Sequence, residues 1–323
     1  MTSGERQRVI IDCDPGHDDA VAILLAAKHL DVLGITTVSG NQTIEKVTGN
    51  ALKVLELSEL TGIPVARGAT RPLLSQPRYA TGHGESGLDG HDFPEPVTLL
   101  DPRHAVQFII DTVMSTEAVT LVPIGPLTNI ATALRLEPRL AERTAHISLM
   151  GGSATVGNVT PVAEFNVWVD AEAADIVFRS GIPITMCGLN LTHQATIGES
   201  DIGAIRAISN PVAKVIADLL GFYLSATRAR SGRDECYVHD ACAVAALIDP
   251  SLFAFADMHV AVETRGARTY GMTVCDARFP SPSPTVNALR SAAGAERPNA
   301  RVAMKLDRNG FFRLLTDMLA SYG

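Results

Sequence analysis

The chain has 323 residues, 46% of them hydrophobic and 19% charged, with a formal net charge of −8, so it can bury a large core and is not a disordered chain. The negative balance argues against a nucleic-acid partner, because phosphate-backbone binding draws its affinity from clustered Lys and Arg. Cysteines at positions 13, 187, 236, 242 and 275 form an odd set with no CxxC pair, which argues against a disulfide framework and a zinc site. Met1 to Arg8 is polar, without the apolar core of a signal peptide, and the apolar run Ala20 to Ala27 is too short to span a bilayer. A cytoplasmic protein with no membrane attachment is expected.

In chain order, strands are expected at Val9 to Ile11, Leu33 to Val38, Val119 to Val122, His146 to Met150 and Ile182 to Met186. Helical patterns lie between them at Asp18 to His29, Thr43 to Leu60, His104 to Val113, Leu127 to Leu136 and Ala171 to Ser180. This alternation implies crossover connections and an α/β fold: an open, mainly parallel, Rossmann-like sheet flanked by helices on both faces. The segment Arg71 to Pro96, rich in Gly, Pro and His, reads as a long loop of the kind that is usually functional or disordered. The later part reads as mostly helical, with helices at Val212 to Leu224 and Ala241 to Leu247. Short strands follow at His259 to Glu263 and Thr269 to Val274, and a terminal helix over Gly310 to Tyr322. No linker or internal repeat interrupts the pattern, so residues 1–323 are expected to form a single domain.

The most informative stretch is Val9-Ile10-Ile11-Asp12-Cys13-Asp14-Pro15-Gly16-His17-Asp18-Asp19-Ala20, which crowds four carboxylates between an apolar strand and an apolar helix. Acids this close raise one another's pKa unless a hard cation neutralises them, and carboxylate oxygens suit Ca²⁺ or Mg²⁺ better than zinc. The acids sit at a strand's carboxyl end, where open α/β sheets place their ligands. The plainer alternative is that Asp18 or Asp19 caps the helix while the other acids are solvated. Cys13, among negative charges, reads as a packing residue and not a nucleophile.

Other segments gather polar groups after strand ends: Val38-Ser39-Gly40-Asn41, Val122 to Asn129, Met150-Gly151-Gly152 leading to Gly157-Asn158, and Glu164-Phe165-Asn166; Val238-His239-Asp240 opens a helix. Each alone is weak, since Asn beside Gly is most often a turn residue. Paired acceptors and amide donors suit a sugar without phosphate, and the chain has no Walker sequence.

Together these pieces resemble the nucleoside hydrolase family, inosine-uridine preferring type. DCDPGHDDA, VSGNQT, HGESGL, GPLTNIA, MGGS with GN, AEFNVWVDAEAA, VHDACAV and GMTVCD follow the family's order from Ile11 to Asp276. The resemblance implies an active site at the carboxyl ends of the strands that hydrolyses a ribonucleoside, a small-molecule substrate, to ribose and free base for purine or pyrimidine salvage. It implies a Ca²⁺ site held by Asp14, Asp19, Asp240 and the carbonyl of Ile124, with Asn41 beside the metal and the attacking water. Asp14 would take that water's proton. Ribose would be held by Asp18, Asn158, Glu164 and Asn166, with the Met150 carbonyl nearby and Phe165 of the same motif at the substrate. His239 would serve the leaving base, and His83 would contact sugar or base as its loop closes. A homodimer or homotetramer is also implied.

Base choice stays open at this stage. In the stretch Tyr223 to Tyr237, Thr227 and Ser231 offer neither the Gln and Tyr of pyrimidine-selective relatives nor the Tyr and Arg of the broad type, although Arg228, Arg230, Arg233 and Tyr237 are near. Two rival functions are weighed. A metal-dependent phosphohydrolase of the haloacid-dehalogenase kind needs Thr or Val two residues after the second Asp, where this chain has Gly16. A non-catalytic ribose or nucleoside binder of the same fold would not need a metal and a base beside it, yet fold alone does not exclude it.

Overall fold

The structure, a computed structural model, describes residues 6–278, 283–292, 294 and 296–323. In chain order its strands are Arg8–Cys13 (β1), Asp31–Thr37 (β2), Val65–Arg67 (β3), Thr120–Pro123 (β4), His146–Met150 (β5), Ile184–Cys187 (β6), Thr196–Gly198 (β7), Glu235–Tyr237 (β8), Phe253–Val262 (β9), Thr273–Asp276 (β10) and Ala300–Leu306 (β11). One sheet has the order β10-β9-β11-β6-β5-β4-β1-β2-β3. Pairing is parallel from β11 across to β3, and antiparallel only where β9 meets β11 and β10 meets β9. β7 and β8 form a separate antiparallel pair. The mainly parallel open sheet is therefore observed.

Buried on both faces, β1 needs its continuous Val9-Ile10-Ile11 run. One apolar layer packs helices His17–His29, Ile44–Leu57, Pro211–Ser231, Ala241–Ile248 and Arg308–Ala320 against the sheet. The opposite layer is built on Ala105–Ser115, Thr128–Leu136 and Ala171–Phe178. With both faces covered, the exits of β1, β2, β4 and β5 at one edge become the place where polar groups can converge. Among the described residues, no helix is long and apolar enough to cross a membrane.

The structure departs from the sequence reading at several boundaries, for local reasons. The helix expected to end at Leu224 continues to Ser231. Asn210 accepts the Ala213 N–H at its start, Pro211 takes the first position, and Gly232, at φ 68°, closes it in the left-handed conformation. The strand expected from Thr269 begins only at Thr273, because Gly271, at φ 80°, turns the chain first. β11 is absent from the sequence reading, yet it fills the gap between β6 and β9. The segment 71–96 holds no helix or strand, as expected.

Candidate active site

The carboxylates of the opening motif separate into two environments. Asp12 points into the core: its Oδ1 accepts from Thr36 Oγ1 (2.6 Å) and Asn129 Nδ2 (2.8 Å), its buried Oδ2 has no partner, and burial pushes its pKa up to about 7. Asn129 also donates to the Thr37 carbonyl (2.9 Å) and accepts the Ala69 N–H (2.9 Å), so it knits β1, β2 and the chain after β3 together. Asn129→Ala should therefore destabilise the fold by about 1–3 kcal/mol, because it strands buried groups without partners. A urea unfolding midpoint equal to that of the unaltered chain would count against this role.

Asp14, Asp18, Asp19 and Asp240 face the other way. Ligand oxygens of Asp18, Asp19 and Asp240 lie within 4.8 Å of one another, and all three residues are buried. Burial and mutual repulsion push Asp18 up to about 8 and Asp240 well above the carboxylate range, and burial raises Asp19 to about 6. Asp19 does act as a helix cap, since its Oδ2 accepts the Gly16 N–H (2.9 Å), but its buried Oδ1 has no partner. Capping alone leaves that orphaned oxygen unexplained. Only oxygen donors meet here, so the residues present fit a hard divalent cation.

Asp14 stands beside this group and outside the closest three. Its Oδ2 accepts the Asn41 N–H (2.5 Å), and Asn41 Nδ2 reaches both the Asp14 carbonyl (3.0 Å) and Asp19 Oδ2 (3.3 Å). Burial, then the charge of Asp19, drives its pKa well above the ordinary value. Glycine at 40 is required, since a Cβ there would collide with Asp14 Oδ2.

Across the cavity, Glu164 caps the short helix Phe165–Val169, taking the N–H groups of Gly152, Asn166 and Val167 (2.8–3.1 Å). Burial still raises its pKa to about 7. Asn166 Nδ2 donates to the carbonyl of Ile124 (2.9 Å) and, at 3.3 Å, to that of Met150. The two carbonyls singled out in the sequence are therefore tied to one amide, and each keeps a second lone pair.

Three histidines surround the far end. His83 packs against Gly16, where a Cβ would stand 2.6 Å from His83 Nδ1, and its ring stacks with those of His17 and Tyr223. His239 pairs with Thr192 Oγ1 (2.7 Å). Burial lowers His17 to about 4, His239 to about 3 and His83 well below the histidine range, so all three rings are neutral near pH 7.

These groups enclose a cavity of about 480 Å³, large enough for a small ligand. Asp14, Asp18, Asn41, His83, Ile124, Met150, Asn158, Glu164, Phe165, Asn166, His239 and Asp240 all line it; Asp19 lies behind them. Tyr79, Thr81, Trp168, Tyr223 and Arg230 also line it. Of these, Tyr223 and Arg230 fall in the stretch considered for base choice, Trp168 in the AEFNVWVDAEAA motif, and Tyr79 and Thr81 in the long loop, though none is singled out there as a site residue. Thr227 and Ser231 do not line the cavity: Thr227 is buried, and Ser231 Oγ bonds back to the Thr227 carbonyl (2.9 Å). Arg228 is held outside by Asp234 and Glu199.

An oxygen-rich cavity at the carboxyl edge of this sheet is the architecture of the nucleoside hydrolases. The chain belongs to the inosine-uridine preferring nucleoside hydrolase family, whose model matches residues 9–313, and it is a ribonucleoside hydrolase. It is 48% identical over 319 residues to the pyrimidine-specific ribonucleoside hydrolase RihA of Photobacterium profundum, covering 97% of this chain and 99% of that protein. The RihA protein of Shewanella baltica (strain OS155 / ATCC BAA-1091) is 47% identical over 321 residues, covering 98% and 97%. Among solved structures, the purine-preferring ribonucleoside hydrolase from Gardnerella vaginalis superposes with a TM-score of 0.88 at 30% identity, covering 98% of each chain. The plant nucleoside hydrolase PpNRh1 superposes at 0.87 with 33% identity, covering 98% of this chain and 99% of that one.

Proposed function

We propose that the protein is a calcium-dependent hydrolase of pyrimidine ribonucleosides, with the carboxylates of Asp14, Asp19 and Asp240 and the Ile124 carbonyl holding the ion. The observation that carries this reading is the buried, oxygen-only cluster of Asp18, Asp19 and Asp240 beside a cavity walled by amides and carboxylates of the kind that hold sugar hydroxyls. The pyrimidine preference rests on relatives at 47–48% identity that bear that description. The purine-preferring structure stands at only 30%.

Held by these carboxylates, Ca²⁺ would keep them in their charged form and would supply Lewis acidity to a water beside it. Asp14, fixed through Oδ2 by Asn41, removes the proton from the attacking water as it approaches C1′. Glu164, Asn158, Asn166 and Asp18 grip the sugar hydroxyls while positive charge grows on the ring, and Phe165 closes the site beside them. Ionised once the cation is bound, Asp18 and Glu164 would provide negative charge facing that developing cation.

On the leaving side, His239 is neutral, so it assists the base as an N–H donor and not as a preformed imidazolium. His239→Ala should lose turnover of uridine while retaining cleavage of an activated nitrophenyl riboside; equal loss on both substrates would reassign His239 to positioning. Arg230, the one cation lining the cavity among the described residues, would meet a base carbonyl in this reading.

The deciding experiment is ribose release from uridine, cytidine, inosine, adenosine and guanosine with calcium and with a chelator. Faster release from uridine and cytidine, lost on chelation and restored by Ca²⁺, is the expected result. Preferential inosine cleavage would overturn the base assignment, and chelator-resistant release would overturn the metal. A homodimer or homotetramer and a cytoplasmic location complete the proposal, resting on family resemblance alone.

A further inference from the structure

The long loop enters the cavity wall at Tyr79 and leaves it at His83, and it is secured just upstream by a ladder onto Trp168-Val169-Asp170. Leu73 N–H donates to Asp170 Oδ2 (2.8 Å), Ser75 Oγ to the Val169 carbonyl (2.8 Å), and Arg78 Nη1 to the Trp168 carbonyl (2.5 Å). The Arg78 guanidinium also lies 3.9 Å from the centre of the Trp168 ring and 5.4 Å from that of Tyr270. Asp170 is itself anchored, capping the next helix at Ala173 and accepting Thr128 Oγ1 (2.7 Å). Behind Trp168 the backbone of Gly271 approaches so closely that a Cβ there would stand 2.8 Å from the Trp168 Cα. Trp168, the only tryptophan of the chain and part of the cavity wall, thus has its Cα and Cβ backed by Gly271 and its indole covered by Arg78.

Arg78 does not line the cavity, and none of its contacts involves the carboxylate cluster. We propose that Arg78 is a positioning residue: by stacking on Trp168 and bonding its carbonyl, it sets the indole and the 79–83 wall at the spacing that receives the nucleoside. Its effect falls on affinity and not on bond cleavage, because a wall that meets substrate and transition state equally contributes uniform binding. The inference rests on the reading of this cavity as a ribonucleoside site. Cation–π contact with indole and the hydrogen bond to a carbonyl are together large enough to move affinity by about tenfold.

The test compares the full chain, calcium-loaded, with Arg78→Met and Arg78→Lys, measuring uridine kinetics and Trp168 fluorescence. Arg78→Met, which keeps the stem but loses charge and donor, should raise KM about tenfold, change kcat by less than about threefold, and shift the emission to the red as water reaches the indole. Arg78→Lys should recover part of both changes, since the ammonium still caps the ring. If Arg78→Met does not fold, Arg78→Gln, which keeps a donor without the charge, carries the same expectation. Unaltered KM with unaltered emission overturns the proposal, as does a fall in kcat at constant KM, or a Lys variant no better than Met. If the unaltered chain cleaves no nucleoside, the functional reading fails instead, and the red shift in Arg78→Met still reports whether the clamp holds Trp168.

Discussion

Asp14→Asn should lower kcat on a cleaved ribonucleoside by at least about 10²–10⁴-fold at saturating calcium, the loss typical of removing a general base. The expectation follows from how the residue is held. Asp14 is buried, its Oδ2 is fixed by the Asn41 N–H, and glycines at 40 and 125 admit its two oxygens at distances a side chain would forbid. A carboxylate so confined keeps acceptor capacity for a water, and an amide in its place cannot serve as the base. Stopped assays of ribose release, run beside a calorimetric calcium titration, separate loss of the base from loss of the ion. Near-full turnover with calcium bound would remove Asp14 from the mechanism.

Stripping the cation should destabilise the protein in a pH-dependent way. Asp18 is raised to about 8, and Asp12 and Glu164 to about 7, so the folded chain holds protons that the unfolded chain releases near pH 4. The stability they confer is complete below pH 4 and is lost as pH rises through 7 and 8. Buried histidines act in the opposite sense. With His17 lowered to about 4 and His239 to about 3, their contribution is complete above about 6.5 and is lost as pH falls toward those values. Above pH 6.5 the carboxylates lead, and the thiols whose pKa burial raises act in the same direction toward pH 8.5. The melting temperature of chelated protein should therefore fall from pH 6.5 to 8.5. Calcium-saturated protein should stay flatter and more stable, because cation binding requires deprotonated ligands. Ligand at 100 to 1,000 times its Kd adds about 2.7–4.1 kcal/mol. Coincident melting curves with and without chelator across this range would remove the cation from the site.

Much of this site is legible in the residues because its chemistry is local. DCDPGHDDA places Asp14, Asp18 and Asp19 within one strand-to-helix turn, and the β-branched run before it and the apolar run Ala20 to Ala27 after it assign the strand and the helix. The alternation of such units implied the parallel sheet and the edge at which Asn41, Ile124, Met150 and Asn166 emerge. Asp12, in contrast, belongs by sequence to the same acid cluster, yet β1 alternates its side chains and turns it toward Thr36 and Asn129. Asn129 likewise reads as a turn residue and proves to be a knot joining three segments.

What the sequence by itself determined is the class of protein: the crowded acids of the opening motif point to a cation, and the order of the remaining motifs carries the resemblance to the nucleoside hydrolases. Only the tertiary structure decided which groups share the cavity, because contacts between Arg78 and Trp168, or between β11 and β6, join residues about 90 and 115 positions apart. Side-chain periodicity reports which face of an element is buried, and it is silent on what that face meets. The neutrality of His239 is decided in the same way, since it arises from burial among neighbours that no local pattern reveals.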